Sequence, residues 1–238
     1  LSGDLNDLKV DWQRLRNEPH PSAWGDASKR GAYASLAADM QSDLENVMLE
    51  HLQDLRAKTG AKNLIFVGGV SLNSTLNGRI HREAGFEQVF IPHYPGDQGL
   101  AVGCAAFAYA QLNAQQLPTP QQSLTPYSGV EYSNDDIEEA LTEWQDWVEE
   151  ADLDGLDVLD VVAEAIDSGK VVAWFDGRSE FGPRALGNRS ILADPRRGAM
   201  VEKINSAIKK REAYRPFAPS VLADKVSDWF EDDSPSPY

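Results

Sequence analysis

The sequence predicts an α/β protein built in two parts. In the first part, apolar periodicity and turn residues give the order helix, strand, helix, strand, helix, which is a layered α/β pattern. In the second part, an apolar strand at Lys170–Phe175 leads into a loop rich in glycine and arginine, and a helix follows. A stretch rich in Gln, Pro, Ser and Thr lies between them, as expected of a surface connection. We therefore expect domains at residues 1–113 and 156–238, joined by a linker at 114–155.

The first part is predicted to start with a long amphipathic helix. Over residues 28–58, apolar side chains recur every three or four positions, and Gly60 follows as a stop signal. Apolar runs of strand length then alternate with helical patterns, and the first run ends at Gly68–Gly69. The predicted elements are a strand at 63–67, a helix at 72–83, a strand at 88–91 and a small-residue helix at 100–113.

The connecting segment is strongly acidic. Residues 134–160 carry 12 acidic side chains and no Lys or Arg. One helical face of this segment is apolar and consists of Ile137, Leu141, Trp144 and Val148. A charge run of this kind is usually a solvated face, and its spacing does not suggest a metal site. We expect an acidic surface helix within the linker.

The second part reverses the charge of the chain. Eleven basic and five acidic residues lie between Lys170 and Arg215, a net charge of +6 in a chain whose net charge is -16. The loop at 177–190 alone holds three arginines and three glycines, which suit bidentate binding and close backbone approach to an anion. Two interpretations stay open. The arginines form surface ion pairs, worth roughly 0–1 kcal/mol each, or they bind a polyanionic small molecule.

A second basic cluster follows a helix predicted at 199–208. It consists of Lys209, Lys210, Arg211 and Arg215. Pro216 and Pro219 follow at once, and each proline fixes its own φ and biases the residue before it toward extended backbone. We expect this stiff segment to hold the charged side chain of Arg215 in place.

Two features of the first part have both a structural and a functional interpretation. Gly68–Gly69 follow an apolar strand, where backbone N–H groups hold phosphate well but tight turns also use glycine for steric reasons. Asn73 adds an amide that could contact a nucleoside. Asp97 opens the next helix, so spacing alone favours a helix cap, and a ligand to a divalent metal is the alternative.

The composition limits the classes of partner. A net charge of -16 argues against general nucleic-acid binding, which usually leaves a basic footprint. No apolar run approaches the roughly 20 residues needed to span a bilayer, and no basic segment precedes an apolar one as in a secretory signal. We expect a cytoplasmic protein that binds neither nucleic acid nor membrane.

A series of short motifs runs through the chain in a fixed order. They are Gly68-Gly69-Val70-Ser71-Leu72-Asn73, Asn77-Gly78-Arg79, Gly96-Asp97-Gln98-Gly99, Glu180 to Ser190, Arg211-Glu212 and Arg215-Pro216-Phe217-Ala218-Pro219. Pro126-Tyr127-Ser128-Gly129 joins them from within the linker. Together these motifs resemble the NodU/CmcH-type O-carbamoyltransferases from about Leu36 to the last residue. The resemblance is to a central-to-C-terminal fragment of such a protein.

The resemblance implies a specific version of the α/β fold. Residues 1–113 would be the later half of an actin/hexokinase/heat-shock-ATPase-like (ASKHA) domain, and residues 156–238 the start of a YrdC-like domain. In this family, carbamoyl phosphate and ATP form a carbamoyl-adenylate in the YrdC-like domain. The carbamoyl group then passes to a hydroxyl of a small-molecule acceptor in the other domain, near a divalent iron.

The resemblance also implies residue roles. Arg184, Lys209 and Arg215 would be catalytic, because fixed cations neutralise crowded negative charge without reorganising. Contacts to ATP would come from Gly68, Gly69, Asn73, Asn188, Arg189 and Arg211. Asp97 would be one ligand of Fe(II), with the remaining ligands outside this chain, and Mg(II) bound with ATP is a further option.

The expected partners are therefore carbamoyl phosphate, ATP and a hydroxyl-bearing acceptor. The identity of the acceptor and the oligomeric state stay open, with a homodimer among the options. We expect the fragment alone to turn over nothing. Two alternatives remain: tRNA threonylcarbamoyl-adenylate-type chemistry, which would require a basic face, and a non-catalytic nucleotide-binding module that keeps only the fold.

Overall fold

The computed structural model describes residues 30–113, 116, 125–153 and 155–230. The chain packs as two compact units, one ending at Leu100 and the other starting at Ala101. This boundary falls inside a helix, whereas the sequence places the end of the first domain at residue 113. Both units combine helices with a two-stranded sheet, which is compatible with the predicted α/β class. The ASKHA and YrdC-like assignments stay predictions.

The first unit follows the predicted order of elements. These are α1 (Arg30–Thr59), β1 (Asn63–Ile65), a 3-10 helix (Gly69–Leu72), α2 (Ser74–Glu83), β2 (Gln88–Phe90) and the first residues of α3 (Gly99–Leu112). β1 and β2 pair in parallel, with Leu64 opposite Val89. β1 is shorter than predicted because the chain turns at Gly68, whose φ is 107°. The predicted start of α2 at residue 72 is wrong for the same reason, since the 3-10 helix occupies that position.

The core of the first unit lies between its two long helices and one face of the sheet. The buried apolar residues are Leu49, Leu52, Leu64, Phe66, Leu76, Ile80 and Ala84. Leu64 and Phe66 alternate with the exposed Ile65, as expected for a strand with one covered face. Leu76 and Ile80 lie one turn apart on α2 and are fully buried. This core fixes the edge of the sheet at which the glycine turn emerges.

Beyond α3, the described part of the second unit contains four α-helices, one π-helix, one 3-10 helix and one antiparallel pair of strands. They are α4 (Asn134–Glu143), α5 (Val158–Asp167), β3 (Val172–Phe175), β4 (Arg189–Leu192), α6 (Ala199–Lys203), a π-helix (Ile204–Ile208), a 3-10 helix (Ala223–Lys225) and α7 (Val226–Trp229). β3 and β4 pair antiparallel, with Phe175 opposite Arg189. The prediction of a loop as far as Ser190 is therefore wrong, because the last two of its residues enter β4.

Local capping explains where two of these helices begin. The side chain of Ser133 accepts the backbone N–H of Asp136, and the Asp136 carboxylate accepts the backbone N–H of Ser133, so the acidic segment starts a helix at a capping box. Asp157 caps α5 in a similar way by accepting the backbone N–H of Leu159 at 2.7 Å. The cap of α5 therefore fixes the start of the helix that precedes β3.

Helix α3 is apolar over most of its length, yet none of its residues is buried. Leu100, Phe107 and Leu112 are among its most exposed side chains. Among the described residues, no helix combines the length and apolar character needed to cross a bilayer.

Candidate functional site

The two glycine-containing motifs of the first unit lie next to each other. The carboxyl ends of β1 and β2 meet at one edge because the strands are parallel. There the backbone N–H of Gly68 donates to the carbonyl of Pro95 at 2.7 Å, which joins the turn after β1 to the turn before α3. Gly69 is exposed. The structure thus brings Gly68 and Gly69 close to the Gly96-Asp97 turn, which the sequence predicts only as separate features.

The Asn73 side chain already has partners within the protein. Its Oδ1 accepts the backbone N–H of Leu76 at 3.2 Å, which caps α2. It also exchanges two hydrogen bonds with the Gln41 side chain on α1, at 2.9 and 3.0 Å. One N–H of its amide is left for a ligand. Asn73 therefore has a structural role, and its contact with a nucleotide stays a prediction.

Asp97 is exposed, and its backbone carbonyl accepts the N–H of Leu100 at 3.0 Å. Within the part of the chain that the structure describes, no group of three or more His, Cys, Asp or Glu side chains is placed to hold a metal. A single carboxylate does not meet the coordination that a divalent metal requires. These residues alone do not fit a metal, and the role of Asp97 as a ligand stays a prediction.

The arginine loop, residues 177–188, is organised around Glu180. Its Oε1 accepts three backbone N–H groups, from Leu186 at 2.9 Å, Asn188 at 2.7 Å and Arg189 at 3.2 Å. Partial burial by itself raises the pKa of the Glu180 carboxyl, but these three donors and the residue's own backbone N–H outweigh it and hold the pKa below its ordinary value. The loop is therefore held by an ionised carboxylate, with Arg184 between its two anchored ends.

A second segment, which we name the strap (residues 125–130), packs against this loop. Phe181 N donates to the carbonyl of Pro126 at 2.7 Å, and Ser179 N donates to that of Val130 at 3.0 Å. Gly129 N in turn donates to the carbonyl of Ser179 at 2.9 Å. The sequence predicts that these residues lie in the linker, yet they exchange three backbone hydrogen bonds with the arginine loop.

Asn188 and Arg189 stabilise the base of the loop. The Arg189 guanidinium lies 3.5 Å from the centre of the Phe175 ring and donates to the carbonyls of Asp176, Gly177 and Asn188 at 2.7–3.1 Å. Asn188 donates its side-chain amide to the carbonyl of Arg178 at 2.8 Å. These contacts give Asn188 and Arg189 a structural role. The contact of the two residues with ATP stays a prediction.

The second basic cluster is built around Asn205, a fully buried residue of the π-helix. Its side-chain amide donates to the carbonyls of Ala213 at 3.2 Å and Arg215 at 2.9 Å. Its Oδ1 accepts Arg211 Nε at 2.6 Å, and the Arg211 guanidinium also lies 4.7 Å from the centre of the Phe217 ring. One amide thus shapes the loop at 209–217, and π-helical turns are frequent at functional sites. Arg211 has a structural role in this loop, and its contact with ATP stays a prediction.

Most of the basic residues between 170 and 215 have partners inside the protein. Arg196 and Arg197 both bind the carboxylate of Asp194, which is only 2% exposed. Arg215 pairs with Glu212 at 2.7 Å, although both side chains are about half exposed. The ion-pair interpretation therefore holds for these arginines.

Arg184 and Lys209 differ from the paired arginines. Both side chains are exposed, and among the described residues neither has an ion-pair or hydrogen-bond partner. They lie in separate loops, each shaped by an internal polar residue, Glu180 for Arg184 and Asn205 for Lys209. Their convergence on one ligand, together with Arg215, stays a prediction.

Sequence reasoning missed the residues that shape these loops. Glu180 is the only acid in the loop at 177–190, and an isolated acid within a basic motif was the signal that could have pointed to it. Tyr127, whose hydroxyl donates to the carbonyl of Leu186 at 2.8 Å, stands out in the sequence only through the motif that contains it. Asn205 lies in an ordinary helical pattern and gives no signal.

Two family models match the chain. The model for the N-terminus of carbamoyltransferases matches residues 8–106, and the model for the carbamoyltransferase C-terminus matches residues 163–238. The two matched segments include every residue predicted for the site, with Asp97 in the first and Arg184, Lys209 and Arg215 in the second.

Several curated proteins are similar to most of the chain. A Synechocystis sp. protein of uncharacterised function is 42% identical over 85% of this chain and 33% of its own length. Nodulation protein NolNO of Sinorhizobium fredii is 41% identical over 84% of the chain and 29% of its length. Nodulation protein NolO of Bradyrhizobium diazoefficiens is 39% identical over 84% of the chain and 36% of its length. The chain spans about a third of the length of these relatives. It belongs to the NodU-type carbamoyltransferase family and carries parts of both its N-terminal and its C-terminal regions.

Proposed function

We propose that this chain contributes an anion-binding site to an enzyme that transfers a carbamoyl group from carbamoyl phosphate, with ATP, to a hydroxyl of a small-molecule acceptor. Water would release the phosphate of the donor as inorganic phosphate, and an oxygen of the resulting carbamate would attack the α-phosphorus of ATP and displace pyrophosphate. The acceptor hydroxyl would then attack the carbamoyl carbon of this carbamoyl-adenylate, displace AMP and lose its proton to solvent. The single observation that carries the proposal is that the side chains of Arg184 and Lys209 are exposed and have no partner among the described residues. Both are cations, while their loops are held by other residues.

The chemistry requires such groups. Joining a carbamoyl donor to ATP brings two polyanions together, and fixed positive charge lowers the energy of that encounter. Arg184 would bind phosphate or carboxylate oxygens with two parallel N–H donors, and Lys209 would act as a point charge. Arg215 is available as well, because exposed ion pairs such as Arg215–Glu212 contribute little and exchange readily for a ligand.

The first unit would supply the nucleotide or acceptor side of the reaction. Gly68 and Gly69 offer a glycine turn at the carboxyl edge of the sheet, and Asn73 offers one free amide N–H. Asp97 is part of the proposal only as one metal ligand. The remaining ligands would come from outside the described residues. We assign no step of the reaction to a metal.

Release of pyrophosphate from ATP tests the proposal in the longer protein that contains this chain. We expect release that depends on carbamoyl phosphate and does not occur with threonine and bicarbonate. Release with threonine and bicarbonate instead would favour threonylcarbamoyl-adenylate chemistry. No release with either donor would contradict both and favour a non-catalytic nucleotide-binding module. The 238-residue chain alone is expected to be inactive, and product formed by it would contradict that expectation.

A further inference from the structure

We propose that Glu180 is a positioning residue, whose carboxylate sets the loop that presents Arg184 to the carbamoyl donor. The proposal rests on the proposed function, since it names a residue that acts on the same site. The observation behind it is independent of the proposed function. It concerns how the Glu180 side chain closes the loop, whichever ligand binds there.

The carboxylate of Glu180 joins the two ends of the arginine loop. Glu180 Oε1 accepts the N–H groups of Leu186, Asn188 and Arg189 at 2.7–3.2 Å. The side chain of Glu180, near the start of the loop, therefore binds the backbone at the end of the loop. The five intervening residues, 181–185, form a closed turn with Arg184 close to its C-terminal anchor.

The carboxylate charge of Glu180 is stabilised by the backbone of the loop. Three N–H dipoles aimed at one oxygen favour a full negative charge there, and hydrogen bonds to a charged acceptor are about twice as strong as those between neutral groups. Among the described residues, Glu180 forms no ion pair with Arg184. The negative charge of Glu180 is thus stabilised by backbone donors, and the Arg184 guanidinium keeps its binding capacity for a ligand.

Two hydrogen bonds with the strap hold the arginine loop from outside. Phe181 N donates to the Pro126 carbonyl at 2.7 Å, and the Tyr127 hydroxyl donates to the Leu186 carbonyl at 2.8 Å. The strap therefore holds the same two ends that Glu180 joins from within. A loop anchored from both sides has few alternative conformations, so less conformational freedom is lost when a ligand binds Arg184, and the affinity for that ligand is higher.

The test uses Glu180→Gln in the longer protein, with Glu131→Gln as the matched control. Glu131 undergoes the same change, lies next to the strap and contacts Arg178 only at 3.9 Å. We expect Glu180→Gln to raise KM for carbamoyl phosphate roughly tenfold while kcat stays within about threefold. Hydrogen exchange of the amides at 186–189 should become faster in the same variant. Glu131→Gln should change neither quantity.

Measuring KM and kcat separately distinguishes a loss of positioning of Arg184 from a general loss of stability. A variant that only lowers the amount of folded enzyme reduces kcat and leaves KM unchanged. An unchanged KM with faster exchange, or a raised KM with unchanged exchange, would overturn the proposal. If Glu180→Gln does not fold, Tyr127→Phe must raise the same KM, and an unchanged value would overturn the proposal as well.

Failure of the inference can be told apart from failure of the proposed function. Wild-type protein without pyrophosphate release that depends on carbamoyl phosphate would remove the proposed function, and the inference with it. Normal release in the wild type together with a normal KM in Glu180→Gln would remove only the inference.

Discussion

The Tyr127 hydroxyl donates a hydrogen bond to the carbonyl of Leu186 at 2.8 Å, across 59 residues of sequence. This bond ties the strap to the end of the arginine loop that Glu180 holds from within. The loop that carries Arg184 is therefore shaped by a segment that the sequence places in a surface linker. The strap is part of the candidate site because it limits where the loop can go.

Removing this hydroxyl should loosen the loop without unfolding the unit. For Tyr127→Phe we expect a loss of about 0.5–1.5 kcal/mol in the local free energy of opening, the usual contribution of one such bond. Hydrogen exchange of residues 182–190 in the full chain measures it. Tyr109→Phe, on the exposed side of α3, is the control and should change nothing. Equal exchange in wild type and Tyr127→Phe would show that the bond does not hold the loop.

Gly129 allows the strap to approach the loop closely. A Cβ at this position would lie 2.8 Å from both the Cβ and the carbonyl oxygen of Ser179. We expect Gly129→Ala to destabilise the second unit by about 1–3 kcal/mol through overpacking. Thermal unfolding measures the change. Gly103→Ala is the control, since nothing lies within 4 Å of its added Cβ and alanine suits a helix. An unchanged melting temperature for Gly129→Ala would contradict the packing described.

Asn205 should be necessary for the shape of the second basic loop. Asn205→Ala leaves the carbonyls of Ala213 and Arg215 and the Arg211 guanidinium without their partner. We expect a loss of about 1–3 kcal/mol in unfolding free energy, because partners left unsatisfied carry a desolvation cost. Urea denaturation of the full chain measures it. Ser206→Ala, which removes an exposed hydrogen bond to the carbonyl of Glu202, should have a much smaller effect, and equal effects would contradict the prediction.

Asp194 predicts a pH dependence of stability. Hydrogen bonds from the Arg196 side chain and backbone, and then from Arg197, hold the pKa of its carboxyl well below its ordinary value of 3.8. Because the folded-state pKa is depressed, the stabilisation is fully present above 3.8 and is lost as the pH falls through the lower folded-state value. We expect Asp194→Asn to lower the melting temperature at pH 7.

The difference in melting temperature between wild type and Asp194→Asn should shrink as the pH falls below 3.8. Asp224→Asn is the control, since Asp224 is exposed and forms no ion pair among the described residues. A difference that stays constant down to acid pH would mean that the Asp194 carboxylate does not contribute through its charge.

Local patterns in the sequence predict the elements of this fold well. The spacing of apolar residues predicts α1 and α2, and short apolar runs predict β1 and β2, because burial on one face leaves a clear period. β4 could not be predicted in the same way. Arg189 and Ser190 are not typical strand residues, and their pairing with β3 depends on a loop closed by Glu180.

The candidate site was predictable only in part. Arg184 and Lys209 stand out by charge, and the structure leaves them without partners in the described chain. Asn73, Asn188 and Arg189 stand out by motif, yet their side chains stabilise turns. Contacts such as Tyr127 to Leu186 join residues far apart in sequence, and no local property of either residue indicates the pairing.

The central claim is that Arg184 and Lys209 bind the carbamoyl donor. Pyrophosphate release that depends on carbamoyl phosphate, measured in the longer protein, tests it most directly when Arg184→Ala and Lys209→Ala are compared with Lys170→Ala. Lys170 is also exposed and without a partner among the described residues, but it has no predicted role. We expect folded Arg184→Ala and Lys209→Ala proteins that release almost no pyrophosphate, and normal release by Lys170→Ala. Undiminished release by Arg184→Ala would contradict the account.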